Sequence, residues 1–170
     1  VELAARHGTR LCLDSSNPHA RAAALPWHPG SALINSISGE PGRMELLAPL
    51  CRAWGLPFVL LPLKGANLPA GASERIAIIE ELLAQAESYG IPRHLVLVDA
   101  LAPTAASHPR APRACLEAIR RCADRRLPCS PGLPHLSLSP PTKHPGDSRL
   151  HDLPGGRCLA SVTHLPGHPR

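Results

Sequence analysis

The chain has 170 residues, which is enough for one domain and short for two. Its net charge is +5, but the arginines are scattered and aromatic residues make up only 2%, so nucleic-acid binding is not favoured. No run of about 18 apolar residues occurs, and the opening VELAARHGTR lacks the apolar core of a secretory signal. The six cysteines form no C-x-x-C pair. We therefore expect a cytoplasmic protein without membrane contact, with reduced, mostly buried thiols and no directly bound metal.

The first part of the chain alternates short apolar runs with helical patterns. Residues 9–14 (TRLCLD) predict a strand that ends in Asp14. An Asn-Pro pair then predicts the capped start of a helix over residues 17–25. Residues 31–35 (SALIN) predict a second strand, which ends at Asn35.

The same alternation continues through the next 70 residues. A helix is predicted over 40–55, a strand over 56–65, a helix over 71–92, a strand over 93–101 and a helix over 109–125. The residues expected on the buried faces of the first and last of these helices are Leu46, Leu47, Leu50, Ala114, Leu116, Ile119 and Cys122.

Single residues mark the ends and irregularities of these helices. Pro49 predicts a kink inside the helix over 40–55, and Gly55 predicts the end of that helix. Ser73 is the predicted cap of the third helix, which Gly90 and Pro92 are expected to end.

Four strand–helix repeats are typical of a parallel α/β sheet. The apolar strands indicate burial under helices on both sides. A doubly wound sheet and a (β/α)8 barrel both begin in this way. No G-x-G-x-x-G follows the first strand, which disfavours a dinucleotide-binding sheet.

The pattern changes abruptly near residue 126. Residues 126–170 hold nine of the 21 prolines and five of the ten histidines, and no helical or strand period persists there. We predict a domain over 1–125 and an irregular or disordered Pro/His/Arg-rich tail over 126–170. Our hypothesis is that the reading frame shifts near residue 126, because GC-rich DNA translated out of frame gives such a composition.

Polar side chains follow the predicted strands, at the edge where parallel α/β folds bind their ligands. The principal ones are Asp14, Asn35 and Asp99. Ser36, Ser38 and Lys64 lie near the same edge. Carboxylates beside an amide suit a flat heterocycle with N–H donors and ring acceptors. Each polar residue taken alone is also a candidate helix cap.

Three segments together resemble a known family. CLDSSNP (12–18), INSIS (34–38) and VLVDAL (96–101) are similar in order and spacing to the pterin-binding domain of methyltetrahydrofolate–corrinoid methyltransferases, which also occurs in cobalamin-dependent methionine synthase. The resemblance covers residues 9 to about 125. Dihydropteroate synthases share the barrel, but DSSNP does not match their Gly- and Arg-containing segment.

This resemblance implies a (β/α)8 TIM barrel, of which the chain holds about four βα units. It implies that Asp14, Asn35 and Asp99 hydrogen-bond the pterin, with Ser36, Ser38 and Lys64 in support. The implied reaction moves a methyl group from methyltetrahydrofolate to cobalamin or another corrinoid carried by a partner protein. A homodimer is a further arrangement that we consider.

The chain also departs from the family pattern. The family carries a G-L-S-N-x-S segment that contacts the pterin near N5, and GLPHLSLSPP (132–141) stands in its place. A barrel needs about 250 residues, and we expect a first barrel strand to precede Val1. The alternatives are a non-catalytic, truncated remnant of the family and a dihydropteroate synthase-like pterin-binding protein. The methyl donor stays open.

Overall fold

Five strands form one parallel sheet, and their order across the sheet is their order along the chain. The computed structural model describes residues 11–15, 17–27, 32–65, 68–69, 71–101 and 111–130. The strands are β1 (Cys12–Asp14), β2 (Leu33–Ser38), β3 (Phe58–Leu61), β4 (Val96–Asp99) and β5 (Cys129–Ser130). All neighbouring pairs are parallel.

Four α-helices alternate with these strands in the described residues. They are α1 (Pro18–Ala24), α2 (Arg43–Trp54), α3 (Ala72–Ser88) and α4 (Ala111–Asp124). The predicted α/β class is therefore confirmed, and β1, β3 and β4 each lie inside their predicted segments. Within the described part of the chain, no helix has the length and apolar character needed to cross a bilayer.

One apolar core joins the helices to a single face of the sheet. Alternate strand residues such as Ile34, Phe58 and Val98 lie in the same buried cluster as Leu47 of α2 and Leu83 of α3. The cluster also contains Cys122 of α4. Parallel strands joined in sequential order by right-handed crossovers place their helices on one side. A doubly wound sheet reverses its strand order, so this order favours part of a barrel.

The prediction of helices on both faces is wrong for the described residues. Alternation along β3 and β4 places Val59 and Leu97 on the face opposite the helices. Leu97 is only half-buried. A continuous apolar run shows that both faces of a strand are apolar, but it does not identify what covers the second face.

Strand β2 extends three residues beyond its predicted end at Asn35. It runs to Ser38, and its register with β3 shifts between Asn35 and Ile37. The shift leaves Ser36 as an extra residue, as in a β-bulge. Directly after the strand, Gly39 approaches the Leu63 carbonyl so closely that a Cβ atom would lie 2.8 Å from that oxygen. The polar end of β2 is therefore an irregular piece of strand and not a free loop.

The predicted helix ends are partly confirmed. Asn17 caps α1 through its side chain, and Gly55 ends α2 with φ 61°, a left-handed conformation that glycine adopts easily. Ser73 is not the cap of α3, because Gly71 occupies that position. The Ser73 hydroxyl instead accepts a hydrogen bond from Arg121 of α4 at 3.0 Å.

Two leucines predicted to be buried are exposed. Leu46 is 57% exposed, and the buried residues of α2 are Met44, Leu47, Ala48 and Cys51. Leu116 of α4 is 49% exposed, while its neighbour Cys115 is buried. Adjacent apolar residues point about 100° apart on a helix, so only one of each pair faces the sheet.

Regular structure continues past the predicted boundary at residue 125. Leu127 is buried in the core, and β5 pairs with β4 through Val98–Cys129 and Asp99–Ser130. The hypothesis of a frame shift near residue 126 stays a hypothesis. The remaining tail, residues 131–170, lies outside the described residues.

Pro49 lies inside α2, where it removes one backbone donor. Replacing Pro49 by Ala should raise the free energy of unfolding by about 2 kcal/mol. The gain combines roughly 3 kcal/mol of helix propensity with a loss of about 1 kcal/mol, because alanine frees the unfolded chain. Urea unfolding measures the change. Pro92→Ala, outside the helices, is the control and should give no gain. An unchanged midpoint for Pro49→Ala would contradict the expectation. The predicted kink stays a prediction.

The described cysteines are free, as predicted, and four of the five are buried. Burial raises the pKa of the Cys51 thiol from 9.0 to about 11. Between pH 9 and 11 the unfolded chain therefore loses a proton that the folded chain keeps, so stability should fall as pH rises through this window. Calorimetric melting should show a steeper decline of Tm for wild type than for Cys51→Ala. Parallel Tm curves over this range would show that Cys51 does not contribute.

Candidate functional site

Asp14, the last residue of β1, meets Asn35 of β2, which lies at the start of the β2 bulge. They are direct partners in the register of β1 and β2, and Asn35 Nδ2 donates a hydrogen bond to Asp14 Oδ2 at 3.1 Å. Asp14 is exposed and Asn35 is half-buried. Neither residue caps a helix, because Asn17 is the N-cap of α1, which follows Asp14, and Gly42 is the N-cap of α2, which follows Asn35. The capping alternative is therefore wrong for this pair, which offers a carboxylate and an amide at an accessible rim.

Asp99 lies on the same face of the sheet, farther along and two strands away. Asn35 is level with Val59 and Leu97, and Asp99 follows Leu97 by two residues. Strand spacing and rise place the Asn35 and Asp99 Cα atoms roughly 12 Å apart. Asp99 is buried, with 9% exposure. The three predicted residues thus share a face, and Asp14 and Asn35 are hydrogen-bonded to each other.

The backbone just after β4 is held in a strained form. Leu101 has φ 52°, in the left-handed region that is uncommon for a bulky residue. Its N–H donates to Asp99 Oδ1 at 2.8 Å, and its carbonyl accepts from Arg75 Nη1 at 2.7 Å. Such conformations persist where surrounding contacts fix them, and they cluster at functional sites. Asp99 therefore stabilises the turn at Leu101 by accepting its N–H through one carboxylate oxygen.

Arg21 of α1 is a buried residue whose guanidinium is hydrogen-bonded to the backbone of β2 at its bulge. Its side chain is 4% exposed, and Nη2 donates to the Asn35 carbonyl at 2.6 Å. Nη1 makes a longer contact, 3.5 Å, with the Ser36 carbonyl. Burial lowers the pKa of Arg21, and the nearby Asp14 carboxylate opposes that shift. A guanidinium remains charged at neutral pH despite such a shift.

Arg75 of α3 makes the corresponding contact at the end of β4. It is 2% exposed and donates through Nη1 to the carbonyls of Ala100 and Leu101. Burial lowers the pKa of Arg75, while Cys115 and then Asp99 act in the opposite direction. Sequence reasoning missed both arginines. Arg75 follows Ala72 by three residues and precedes Ile79 by four, so its position on the buried stripe of α3 was an available signal.

The supporting residues predicted from sequence are engaged locally. Ser38 Oγ donates to Glu40 Oε2 at 3.2 Å and accepts from the Glu40 N–H. Lys64 forms an ion pair with Glu81 of α3. Ser36 is half-buried. The structure therefore shows Ser38 in contact with Glu40 and Lys64 in contact with Glu81, and their part in binding stays a prediction.

Metal-binding side chains do not gather at this edge in the described residues. No group of three or more His, Cys, Asp or Glu side chains there has the arrangement to hold a metal ion. The site offers carboxylates that accept hydrogen bonds and an amide that both donates and accepts them. This combination suits a planar organic ligand rich in nitrogen.

The chain is similar to a methyltransferase of one-carbon chemistry. Over 95 residues it is 26% identical to methylcorrinoid:tetrahydrofolate methyltransferase from Eubacterium limosum. The matched region is 54% of this chain and 34% of that protein, so the chain spans about a third of its relative's length. No protein-family model matches the sequence. The similarity agrees with the methyltransferase resemblance at the level of a distant relative.

Proposed function

We propose that this chain is the pterin-binding part of a methyltransferase that moves a methyl group between a tetrahydrofolate and a corrinoid on a partner protein. The observation that carries the proposal is the hydrogen-bonded Asp14–Asn35 pair, which joins the end of β1 to the bulge of β2, with Asp99 on the same face. The name of the Eubacterium limosum relative, which pairs a methylcorrinoid with tetrahydrofolate, supports it. We place the protein in the cytoplasm.

The proposed fold is a (β/α)8 barrel with the pterin at the carboxyl ends of its strands. Sequential strand order supports this proposal, as does a core in which the helices pack against one face of the sheet. The five strands of the described residues would be five consecutive strands of such a barrel. In a closed barrel, Val59 and Leu97 would face the interior, where side chains of other strands fill the space.

Each proposed site residue has a distinct part in binding. A carboxylate accepts hydrogen bonds, so Asp99 and Asp14 would bind N–H groups of the pterin's pyrimidine half. Asn35 has both a donor and an acceptor, so it would pair with a ring position that offers a mixed pattern. The existing Asn35–Asp14 bond fixes the amide orientation before a ligand arrives. Such preorganisation reduces the entropy lost on binding.

The methyl transfer requires charge control at N5 of the pterin. When methyltetrahydrofolate is the donor, the bond between N5 and the methyl carbon breaks and its electron pair stays on N5, which takes up a proton. Bound to its partner protein, the corrinoid supplies a cobalt centre that exchanges the methyl group. The residues of this chain bind the pterin and orient N5 toward that partner. The direction of methyl transfer that we predict from the sequence is from methyltetrahydrofolate to the corrinoid. The relative's name lists the methylcorrinoid before tetrahydrofolate.

A binding protein without activity is the second candidate. The observation that favours it is the stretch GLPHLSLSPP, which stands where the resemblance leads us to expect G-L-S-N-x-S. Without the asparagine of that segment, the chain would bind a pterin but would lack a contact near N5. A dihydropteroate synthase-like protein would bind dihydropterin in preference to methyltetrahydrofolate.

Calorimetry on the full chain tests the proposal. We expect saturable binding of methyltetrahydrofolate to wild type and much weaker binding to Asn35→Ala. Asp124→Ala, which removes an exposed carboxylate at the end of α4, is the matched control and should bind as wild type does. Absence of binding by folded wild type would overturn the proposal. If wild type does bind, an assay for transfer of labelled methyl groups to a corrinoid protein distinguishes an enzyme from a binding protein without activity.

A further inference from the structure

Two buried arginines occupy equivalent places in the fold. Arg21 lies in α1, which follows β1, and contacts the backbone of β2 at its bulge. Arg75 lies in α3, which follows β3, and contacts the backbone at the end of β4. Each arginine therefore reaches from one βα unit to the carbonyl end of the next strand.

These contacts fall beside the two ligand-binding side chains of the even-numbered strands. Arg21 Nη2 is bonded to the carbonyl of Asn35 itself at 2.6 Å. Arg75 Nη1 is bonded to the carbonyls of the two residues after Asp99. Each guanidinium also lies near a rim carboxylate, because Asp14 acts electrostatically on Arg21 and Asp99 acts on Arg75.

An apolar side chain would be the simpler choice at both positions. Burying a charge costs free energy, and Nε of each arginine has no hydrogen-bond partner within the described residues. Replacing buried ionic groups by apolar ones often leaves stability unchanged or improves it. A cation retained against this cost indicates a role in fixing the conformation around it, which its rigid fork of donors is suited to perform.

We propose that Arg21 and Arg75 are positioning residues: Arg21 fixes the backbone at the β2 bulge and Arg75 the backbone just after β4, and each thereby fixes the pterin-binding side chain beside it. Arg21 positions Asn35, and Arg75 positions Asp99 through the turn at Leu101. This inference rests on the proposed function for its ligand. The anchoring of the strand ends is independent of any ligand.

Hydrogen exchange tests the anchoring without a ligand. Lysine keeps the charge but is not planar and lacks the second terminal nitrogen, so Arg21→Lys should speed amide exchange at residues 35–38 at least tenfold and leave 100–101 unchanged. Arg75→Lys should do the reverse, because Nη1 alone makes both bonds to the Ala100 and Leu101 carbonyls and a lysine side chain ends one bond short of that position. Arg120→Lys, at an exposed position of α4, is the matched control. Glutamine variants, which keep a donor without the buried charge, replace any lysine variant that does not fold.

Double-mutant cycles test the effect on the pterin site, with methyltetrahydrofolate as the calorimetric ligand. Arg21→Lys should weaken binding about tenfold in wild type and less than twofold in an Asn35→Ala background. With Asp99→Ala, its effect should be additive. Arg75→Lys should show the opposite pairing. A purely structural role would weaken binding equally in every background.

The outcomes are distinguishable. Local exchange and crossed coupling as described support the proposal. Additive effects in all backgrounds, or exchange that rises uniformly across the sheet, overturn it. A folded wild type that does not bind methyltetrahydrofolate overturns the proposed function and with it the positioning of a pterin, and the exchange data then decide whether the arginines fix the strand ends.

Discussion

Replacing Asp99 by Asn should leave the chain folded and weaken its binding of methyltetrahydrofolate about 100-fold. Asparagine retains an Oδ1 atom that can accept the Leu101 N–H, the contact that Asp99 makes at 2.8 Å. It lacks the negative charge, and a hydrogen bond to a charged group contributes roughly 1.5–3 kcal/mol, which corresponds to about 10- to 150-fold in affinity. The variant therefore separates the turn from the ligand contact.

Asp99→Ala should lose both the hydrogen bond to the Leu101 N–H and the contact with the ligand. The Leu101 N–H would lose its acceptor in a buried turn, which costs about 1–3 kcal/mol of stability. Calorimetry measures the affinity of each variant, and urea unfolding measures its stability. Asp124→Asn, at an exposed carboxylate, should change neither quantity. Wild-type affinity in Asp99→Asn would contradict a ligand role for this carboxylate.

Replacing Leu47 by Ala should lower the free energy of unfolding by about 3 kcal/mol. The Leu47 side chain is 1% exposed and packs in the core between α2 and the sheet. Removing it forfeits buried apolar contact and leaves a cavity, and such substitutions cost roughly 2–5 kcal/mol.

Its neighbour Leu46 provides a matched control on the same helix. Leu46 is 57% exposed, so Leu46→Ala should change stability by less than about 0.5 kcal/mol. Urea unfolding at constant slope compares the two variants directly. Equal losses would show that the predicted face, with both leucines buried, is the correct one after all.

The sequence was sufficient for those elements whose local pattern and tertiary environment agree. The apolar runs around Phe58 and Val96 and the long periodic stretch of α3 predicted their elements correctly. β5 was missed because two residues between prolines carry no period, and only pairing with β4 makes them a strand. The end of β2 was misplaced because polar residues there belong to a strand that continues through a bulge.

The sequence was sufficient to bring Asp14 and Asn35 together, but it did not predict the buried arginines Arg21 and Arg75 that contact the backbone near the site. Asp14 and Asn35 follow apolar strands, so parallel topology alone brings them together. Arg21 and Arg75 were missed because an arginine on a helix is usually solvated, and burial depends on which helix face packs on the sheet. The cross-strand reach of a long side chain depends on three-dimensional placement that periodicity does not contain.

Sequential strand order also bears on how the chain is made. Within the described residues, β2 to β5 each pair with the strand synthesised just before them, so none of these four pairings has to wait for a distant C-terminal segment. The contacts that close the core join neighbouring βα units, which keeps the loops to be closed short. A nascent chain emerging from the ribosome can therefore add one unit at a time to a growing sheet, with its most recent edge as the template for the next strand.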